Sequence, residues 1–156
     1  MSEAKIAIFP GTFDPITLGH TDVVRRGLVL FDQIIVAVGT NTSKSTMFDG
    51  ERRLEMVEKT FQQDPGVKAA YFNELTVSFC KKNNSSFILR GLRNSKDFEY
   101  EQSIFAMNRK LDPEVESVFL YSSPEVGFIS STIVREILAN GGDVHSFVPP
   151  EIADLI

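Results

Sequence analysis

Side chains suited to binding phosphate recur along this chain, each just after an apolar run. The set combines hydroxyl, imidazole, ammonium and guanidinium groups, and it consists of Thr12, His20, Lys44, Arg90, Arg93 and Ser130. Guanidinium groups make forked contacts with phosphate oxygens, whereas a lysine acts as a mobile point charge. A site built from the whole set would bind a polyphosphate and a second phosphate beside it.

Each member of the set also has a simpler interpretation on its own. Alone, His20 fits a helix cap or a surface histidine, and Lys44 fits a solvated loop residue. Either arginine alone fits a surface ion pair with Asp97 or Glu99, and Ser131 alone fits an ordinary N-cap. The ordered placement of the whole set favours the phosphate site over these separate interpretations. His145, near the C-terminal end, has no such neighbours, and we expect it to be structural or exposed.

Apolar runs alternate with helical patterns along the whole chain. The patterns predict strands over residues 5–9, 34–38, 67–72, 87–89 and 118–121, and helices over 21–31, 50–62, 97–110 and 131–139, with another through 77–80. This alternation predicts a single α/β domain over residues 1–156, a Rossmann-like parallel five-stranded sheet with helices on both faces. Ligands of such sheets bind at the carboxyl ends of the strands, where the phosphate-binding set is expected to lie.

The composition is that of one globular domain of 156 residues, 42% hydrophobic and 24% charged. A net charge of -5 disfavours a nucleic-acid partner. The one cysteine, Cys80, lies in an apolar stretch, so we expect a core thiol in a reducing cytoplasm. The N-terminal residues lack a signal-peptide pattern, and the longest apolar run, 34–38, is too short to span a membrane. These features predict a cytoplasmic protein without a membrane partner.

Signatures of several other enzyme classes are missing from the sequence. There is no G-x-x-x-x-G-K-[ST] motif of a Walker-A NTPase, and no G-x-G-x-x-G follows the first predicted strand. There is no G-x-S-x-G elbow of an α/β hydrolase. No Cys/His spacing indicates zinc, and no carboxylate cluster has metal-ligand spacing near the phosphate groups. We therefore expect no metal held by the protein's own side chains.

Residues Thr17-Leu18-Gly19-His20 resemble the T/H-x-G-H signature of the nucleotidyltransferase superfamily. The flanking segments extend the likeness in order along nearly the whole chain, and they cover residues 10–20, 90–93, 97–101, 107–109 and 128–132. Together these segments resemble the bacterial phosphopantetheine adenylyltransferases. Thr17 is common in that family, where related families have histidine at this position. The sequence departs from the family pattern at Ser45-Thr46 after Lys44, and at Val126, where some members have tryptophan.

The resemblance implies a role for each matched residue. The catalytic residues would be His20, Lys44 and Arg93. Residues that would bind ATP are Thr12, Phe13, His20, Gly91, Leu92, Arg93, Glu101, Val126, Gly127, Phe128, Ile129, Ser130, Ser131 and Thr132. Residues that would bind the acceptor are Thr12, Lys44, Leu75, Thr76 and Arg90.

The resemblance also implies the reaction, which is transfer of AMP from ATP to 4'-phosphopantetheine with release of pyrophosphate. The acceptor phosphate is already anionic at neutral pH, so we expect one in-line displacement that depends on positioning and charge stabilisation. Mg²⁺ is expected to arrive with ATP, and the family implies a homohexamer. Two alternatives stay open at this point. One is another small-molecule nucleotidyltransferase, such as a nicotinate mononucleotide adenylyltransferase or a cytidylyltransferase, and the other is a non-catalytic nucleotide-sensing module.

Overall fold

The computed structural model describes residues 3–40 and 45–156, and its centre is a five-stranded sheet in which every pairing is parallel. The strands are β1 (Ile6–Gly11), β2 (Gln33–Gly39), β3 (Val67–Phe72), β4 (Phe87–Leu92) and β5 (Glu116–Tyr121). Their spatial order is β3-β2-β1-β4-β5. The predicted parallel α/β sheet is therefore confirmed, and the strand order reverses between β1 and β4.

Five α-helices connect and follow the strands. They are α1 (Leu18–Gly27), α2 (Gly50–Thr60), α3 (Thr76–Lys82), α4 (Ser95–Leu111) and α5 (Ser131–Ala139), and a 3₁₀-helix follows at Pro150–Leu155. The N-cap of α2 is Asp49, whose carboxylate accepts a hydrogen bond from the Arg52 N–H at 2.8 Å. Within the described ranges, the helices are too short or too polar to cross a membrane.

Helix α1 differs from its prediction at both ends. It begins at Leu18, three residues before the predicted start, because Thr17 provides the extended N-cap residue. It ends at Gly27 instead of Phe31. The chain then closes a turn in which the Phe31 N–H donates to the Gly27 carbonyl at 3.0 Å. Phe31 remains buried by this turn, which explains why the apolar spacing extended beyond the helix.

Strand β4 continues past the apolar run that predicted it. Arg90, Gly91 and Leu92 pair with Phe119, Leu120 and Tyr121 of β5, so the strand ends at Leu92 instead of residue 89. Arg90 therefore belongs to the strand and does not lie in a loop after it. Main-chain pairing sets the length of a strand, and a charged side chain is compatible with it where a partner is present.

The two faces of the sheet are covered by different helices, as the fold prediction requires. Helices α1, α2 and α5 cover one face, where Ile34, Val36 and Val38 of β2 pack against Val24, Met56, Val57 and Val134. Helix α3 covers the other face, where Ile8, Ile35 and Ile88 pack against Val77, Phe79 and Cys80. Cys80 is fully buried, so its predicted place in the core is confirmed.

Candidate active site

Two adjoining cavities open where the strand order reverses, at the carboxyl ends of β1 and β4. The first, of about 360 Å³, is lined by the segment after β1, the start of α1 and the start of α5. The second, of about 540 Å³, is lined by the end of β2, the segment after β3 and one side of α4. Both cavities include Pro10, Gly11, Thr12, Arg90 and Glu101 in their walls. A ligand in one cavity would therefore lie beside a ligand in the other.

Most of the residues predicted for the site line these cavities. The first cavity brings together Thr12, Phe13, His20, Arg90, Gly91, Arg93, Glu101, Ile129, Ser130, Ser131 and Thr132. The second contains Thr12, Leu75, Thr76, Arg90 and Glu101. Four predicted ATP contacts do not line either cavity, namely Leu92, Val126, Gly127 and Phe128. Phe128 lies at the surface and packs edge-on against Phe147, while Lys44 lies outside the described residues.

His20 lies in the first turn of α1, and its proton can be placed on a specific nitrogen. The Thr17 main-chain N–H donates to Nδ1 of His20 at 3.0 Å, so Nδ1 is the acceptor and a neutral ring carries its proton on Nε2. Burial, followed by the nearby charges of Arg90 and Arg93, lowers the pKa of His20 from 6.5 to about 4. In the ligand-free protein at neutral pH, His20 is thus a neutral N–H donor.

The ring of Phe13 forms part of the support for His20. Its centroid lies 5.0 Å from the His20 ring in an edge-to-face arrangement, and the ring is buried. Gly11 leaves the space for this packing, because an added Cβ would lie 2.9 Å from the Phe13 ring. Phe13 has a φ of 50°, in the left-handed region that non-glycine residues rarely adopt. Strained main-chain geometry of this kind is common where the chain is shaped for a ligand.

Arg90 forms a bidentate ion pair with Glu101 of α4. Its Nε lies 2.9 Å from Oε2 and 3.0 Å from Oε1 of that carboxylate, and its Nη1 donates to the Pro10 carbonyl at 2.6 Å. The Glu101 side chain is 6% exposed and that of Arg90 is 26% exposed. The partner of Arg90 is therefore Glu101 and not Asp97 or Glu99. In this structure the Glu101 carboxylate is occupied by Arg90, and its predicted contact with ATP stays a prediction.

Arg93 makes the ion pair with Asp97 that its spacing on the sequence suggested. The Asp97 carboxylate accepts from the Arg93 Nε at 3.1 Å and from its main-chain N–H at 2.9 Å. The Nη1 of Arg93 also reaches the Ile129 carbonyl at 3.4 Å, next to the start of α5. The ion pair with Asp97 orients the guanidinium of Arg93, which still lines the first cavity.

The start of α5 forms another part of the wall of the first cavity. Ser130 is the N-cap, because its hydroxyl accepts from the Ile133 N–H at 3.2 Å. The sequence had suggested Ser131 as an ordinary cap, but the Ser131 hydroxyl donates to the Pro15 carbonyl at 2.8 Å. The first turn of a helix presents unpaired N–H groups and a partial positive charge, which together suit an anion. Ser131 and Thr132 place that turn at the cavity.

Several residues of the two cavities were not predicted from the sequence. Asp14 is buried, and its carboxylate accepts from the Met47 and Phe48 N–H groups, both at 2.9 Å. The second cavity is also lined by Tyr100, Ile104, Phe105 and Asn108 of α4, beside the predicted Glu101. Together with Glu101 they follow the i, i+3, i+4 spacing of one helix face, and this spacing was the signal that could have identified them.

The arrangement as a whole is suited to two phosphorylated ligands that meet. Arginine side chains, a neutral imidazole N–H and a helix start converge on the first cavity. Arg90 and Thr12 lie at the boundary between the two cavities, and the second cavity continues as a pocket with Leu75, Ile104 and Phe105 in its wall. A polyphosphate in the first cavity and a phosphate with an apolar arm in the second would match these surfaces.

Known proteins resemble this chain over almost its whole length. The model of the cytidylyltransferase-like family matches residues 8–137. Phosphopantetheine adenylyltransferase of Flavobacterium johnsoniae is 48% identical over 94% of this chain and 95% of its own length. The enzyme of the same name from Christiangramia forsetii is 50% identical over 93% and 95%, respectively.

A solved structure shares the fold at lower sequence similarity. A crystal structure assigned as a nicotinate-nucleotide adenylyltransferase of Vibrio parahaemolyticus superposes with a TM-score of 0.70. It covers 98% of both chains, with 21% sequence identity. This match supports the fold of the present chain, and the substrate is a separate question.

Proposed function

The chain belongs to the phosphopantetheine adenylyltransferases of the cytidylyltransferase-like family, and we propose that it carries out their reaction. It transfers the adenylyl group of ATP to 4'-phosphopantetheine and produces dephospho-coenzyme A and pyrophosphate. This reaction is a step of coenzyme A synthesis. The observation that carries the proposal at the level of the site is the pair of adjoining cavities that share Thr12 and Arg90.

The first cavity is the proposed site of ATP. The start of α5, Arg93 and His20 surround it, so the triphosphate would be met by main-chain N–H groups, a guanidinium and an imidazole N–H. The second cavity is the proposed site of phosphopantetheine. Its phosphate would lie near Arg90 and Thr12, and its arm would extend past Leu75 and Thr76.

The proposed mechanism is one in-line displacement at the α-phosphorus of ATP. An oxygen of the acceptor phosphate attacks, and pyrophosphate leaves on the opposite side. The neutral Nε2–H of His20 donates a hydrogen bond to the phosphate oxygens as their charge increases, while Arg93 contributes a permanent positive charge. His20 needs no role as a base, because the attacking phosphate is already deprotonated.

Lys44 and Mg²⁺ complete the proposal. Lys44 would bind the phosphates from the segment after β2, as the family resemblance implies, although it lies outside the described residues. Mg²⁺ would supply charge neutralisation on the triphosphate and would be held mainly by phosphate oxygens and water. The described residues around the cavities contain arginines and paired carboxylates rather than a carboxylate cluster, which fits a metal delivered with ATP.

We also propose that the protein assembles as a homohexamer in the cytoplasm. Helix α4 and the end of β5 expose large apolar side chains in the single chain, namely Phe98, Met107, Leu111 and Tyr121. Large apolar side chains left exposed on a single chain are often covered in a protein–protein contact. The free, buried thiol of Cys80 fits a reducing compartment. Light scattering at micromolar concentration tests the assembly, and a stable monomer would contradict it.

Pyrophosphate release from ATP across a panel of phosphorylated acceptors tests the proposed function. We expect 4'-phosphopantetheine to give the highest kcat/KM, with dephospho-coenzyme A as the product. Nicotinate mononucleotide and glycerol phosphate represent the other nucleotidyltransferases that the fold can support. Faster turnover of either compound would overturn the assignment. Tight ATP binding without pyrophosphate release from any acceptor would instead favour a nucleotide-sensing module.

A further inference from the structure

Arg53 is a buried arginine that lies behind the two cavities and does not line either of them. It belongs to the first turns of α2 and is 3% exposed. Its guanidinium donates to three main-chain carbonyls, at 2.6 Å to Thr12, 3.0 Å to Gly39 and 3.2 Å to Phe48. A guanidinium is permanently charged and planar, so one side chain can hold three separate acceptors in a fixed arrangement.

These contacts connect segments that follow two neighbouring strands. Thr12 follows β1, Gly39 ends β2, and Phe48 precedes the N-cap of α2. Asp14 strengthens the same connection, because its carboxylate accepts from the Met47 and Phe48 N–H groups. The segment after β1 is therefore tied to both ends of the connection between β2 and α2.

The contact between Arg53 and the Thr12 carbonyl orients the peptide group that joins Thr12 to Phe13. The Thr12–Phe13 bond is trans, so the Thr12 carbonyl and the Phe13 N–H point in opposite directions. The carbonyl points at Arg53, behind the cavity wall. The N–H consequently points to the side where Phe13 lines the first cavity. Within the described part of the chain, this N–H has no hydrogen-bond acceptor.

We propose that Arg53 is a positioning residue for adenylyl transfer, which holds the Thr12–Phe13 peptide so that the Phe13 N–H faces the phosphates of ATP. The proposal rests on the proposed function of the first cavity. Phe13 has a left-handed φ of 50°, so this orientation needs support from outside the peptide. The buried Phe13 ring provides one part of that support, and the Arg53 guanidinium provides the other.

Substitution of Arg53 by lysine separates its geometry from its charge. Lysine keeps the positive charge but cannot reproduce the planar fork. We expect Arg53→Lys to lower kcat/KM by about 10²-fold through misplacement of the phosphates. Arg52→Lys is the matched control, because Arg52 lies on the same helix and donates to the Leu155 carbonyl at 3.0 Å, away from both cavities. It should stay within about twofold of the wild type.

A spectroscopic measurement reports directly on the peptide concerned. Threonine precedes phenylalanine at two places in the sequence, Thr12-Phe13 and Thr60-Phe61. Labelling with ¹³C-carbonyl threonine and ¹⁵N-phenylalanine therefore selects those two amides in an NMR spectrum. The Phe61 N–H is bonded to the Val57 carbonyl at the end of α2 and serves as an internal control. Titration with pyrophosphate should shift the Phe13 amide and leave the Phe61 amide unchanged.

The outcomes are distinct. In Arg53→Lys, the Phe13 amide should need more pyrophosphate for its shift, while thermal unfolding without ligand shows that the variant is folded at the assay temperature. A Phe13 amide that does not respond in the wild type, or that responds equally in both proteins, overturns the proposal. Arg53→Gln is the second variant if the lysine variant does not fold. If the wild type itself fails to turn over phosphopantetheine, the proposed function fails instead.

Discussion

The main-chain N–H of Thr17 donates to Nδ1 of His20, and the two residues thereby determine which ring nitrogen carries the proton. The contact is 3.0 Å long and lies at the first turn of α1. Because Nδ1 is occupied as an acceptor, the proton of the neutral ring is on Nε2, the nitrogen free to reach a ligand. The T-x-G-H spacing is thus a device for presenting one neutral N–H donor beside Arg90 and Arg93.

Removal of this donor should affect turnover much more than binding. We expect His20→Ala to lower kcat by about 10²–10³-fold, or roughly 2.7–4 kcal/mol, because the donor acts on charge that develops in the transition state. The dissociation constant of ATP should rise much less. Steady-state kinetics and calorimetric titration of ATP measure the two effects. His145→Ala is the matched control, because His145 is exposed and pairs with Asp143 away from both cavities.

Acid should destabilise the fold through His20. The unfolded chain binds a proton there with a pKa of 6.5, whereas the folded chain does so only near 4. Between these values the unfolded state binds more protons, so the free energy of unfolding falls as the pH is lowered. At about pH 5 the loss amounts to about 2 kcal/mol. Urea unfolding near neutral pH and at about pH 5 should show a steeper loss for the wild type than for His20→Gln, and equal slopes would contradict the prediction.

The ion pair between Arg90 and Glu101 should couple stability to acceptor binding. Arg90→Ala leaves the buried Glu101 carboxylate without its partner, and we expect a loss of about 3 kcal/mol in the free energy of unfolding. The KM of phosphopantetheine should rise in the same variant. The double variant Arg90→Ala/Glu101→Ala should recover part of the stability but not the KM. Additive losses in this double-mutant cycle would show that the two side chains act independently.

The thiol of Cys80 should be unreactive in the folded protein. Burial, followed by the charge of Asp112, raises its pKa from 9.0 to about 12, so almost no thiolate is present at neutral or mildly alkaline pH. A disulfide reagent such as DTNB should label the native protein only as slowly as it unfolds. The same reagent in concentrated urea should label one thiol per chain at once. Rapid labelling without urea would be inconsistent with the buried position.

A single displacement should invert the configuration at phosphorus. The two adjoining cavities allow both substrates to bind together, so an adenylyl-enzyme intermediate is unnecessary. With chiral α-thio-ATP as the donor, we expect inversion in the thio-analogue of dephospho-coenzyme A. Retention, or AMP trapped on His20, would indicate two displacements and a covalent step.

The sheet and most element boundaries could be predicted because they depend on local patterns. Helix α5 was predicted at its observed bounds, since hydroxyl residues mark its start and Gly141, with a φ of 72°, follows its end, although the N-cap is Ser130 and not Ser131. Strand β4 was predicted too short. Its last residues include a charged arginine, and the carboxylate that accommodates this charge is eleven residues further along the chain. Apolar patterns do not record such a partner.

The site was predictable where the groups themselves bind phosphate and less so where they support others. His20, Arg90 and Arg93 were selected by type and by position after strands or at a helix start. Asp14 and Arg53 were missed because their partners are main-chain atoms, which lie up to 34 residues away from Asp14 and up to 41 from Arg53. Any residue has such main-chain atoms, so the sequence carries no signal that identifies these pairs.

Helix α4 packs on the rest of the chain with little burial of its side chains. Among its 17 residues, the buried position is Glu101, and that residue is the partner of Arg90. Little apolar burial therefore opposes local opening of this helix in a single chain, and its amide hydrogens should exchange with solvent sooner than those of the central strands. Ligands that order Arg90, or neighbouring chains that cover α4, would slow this exchange. Substrate binding and helix order are in this way linked through one carboxylate.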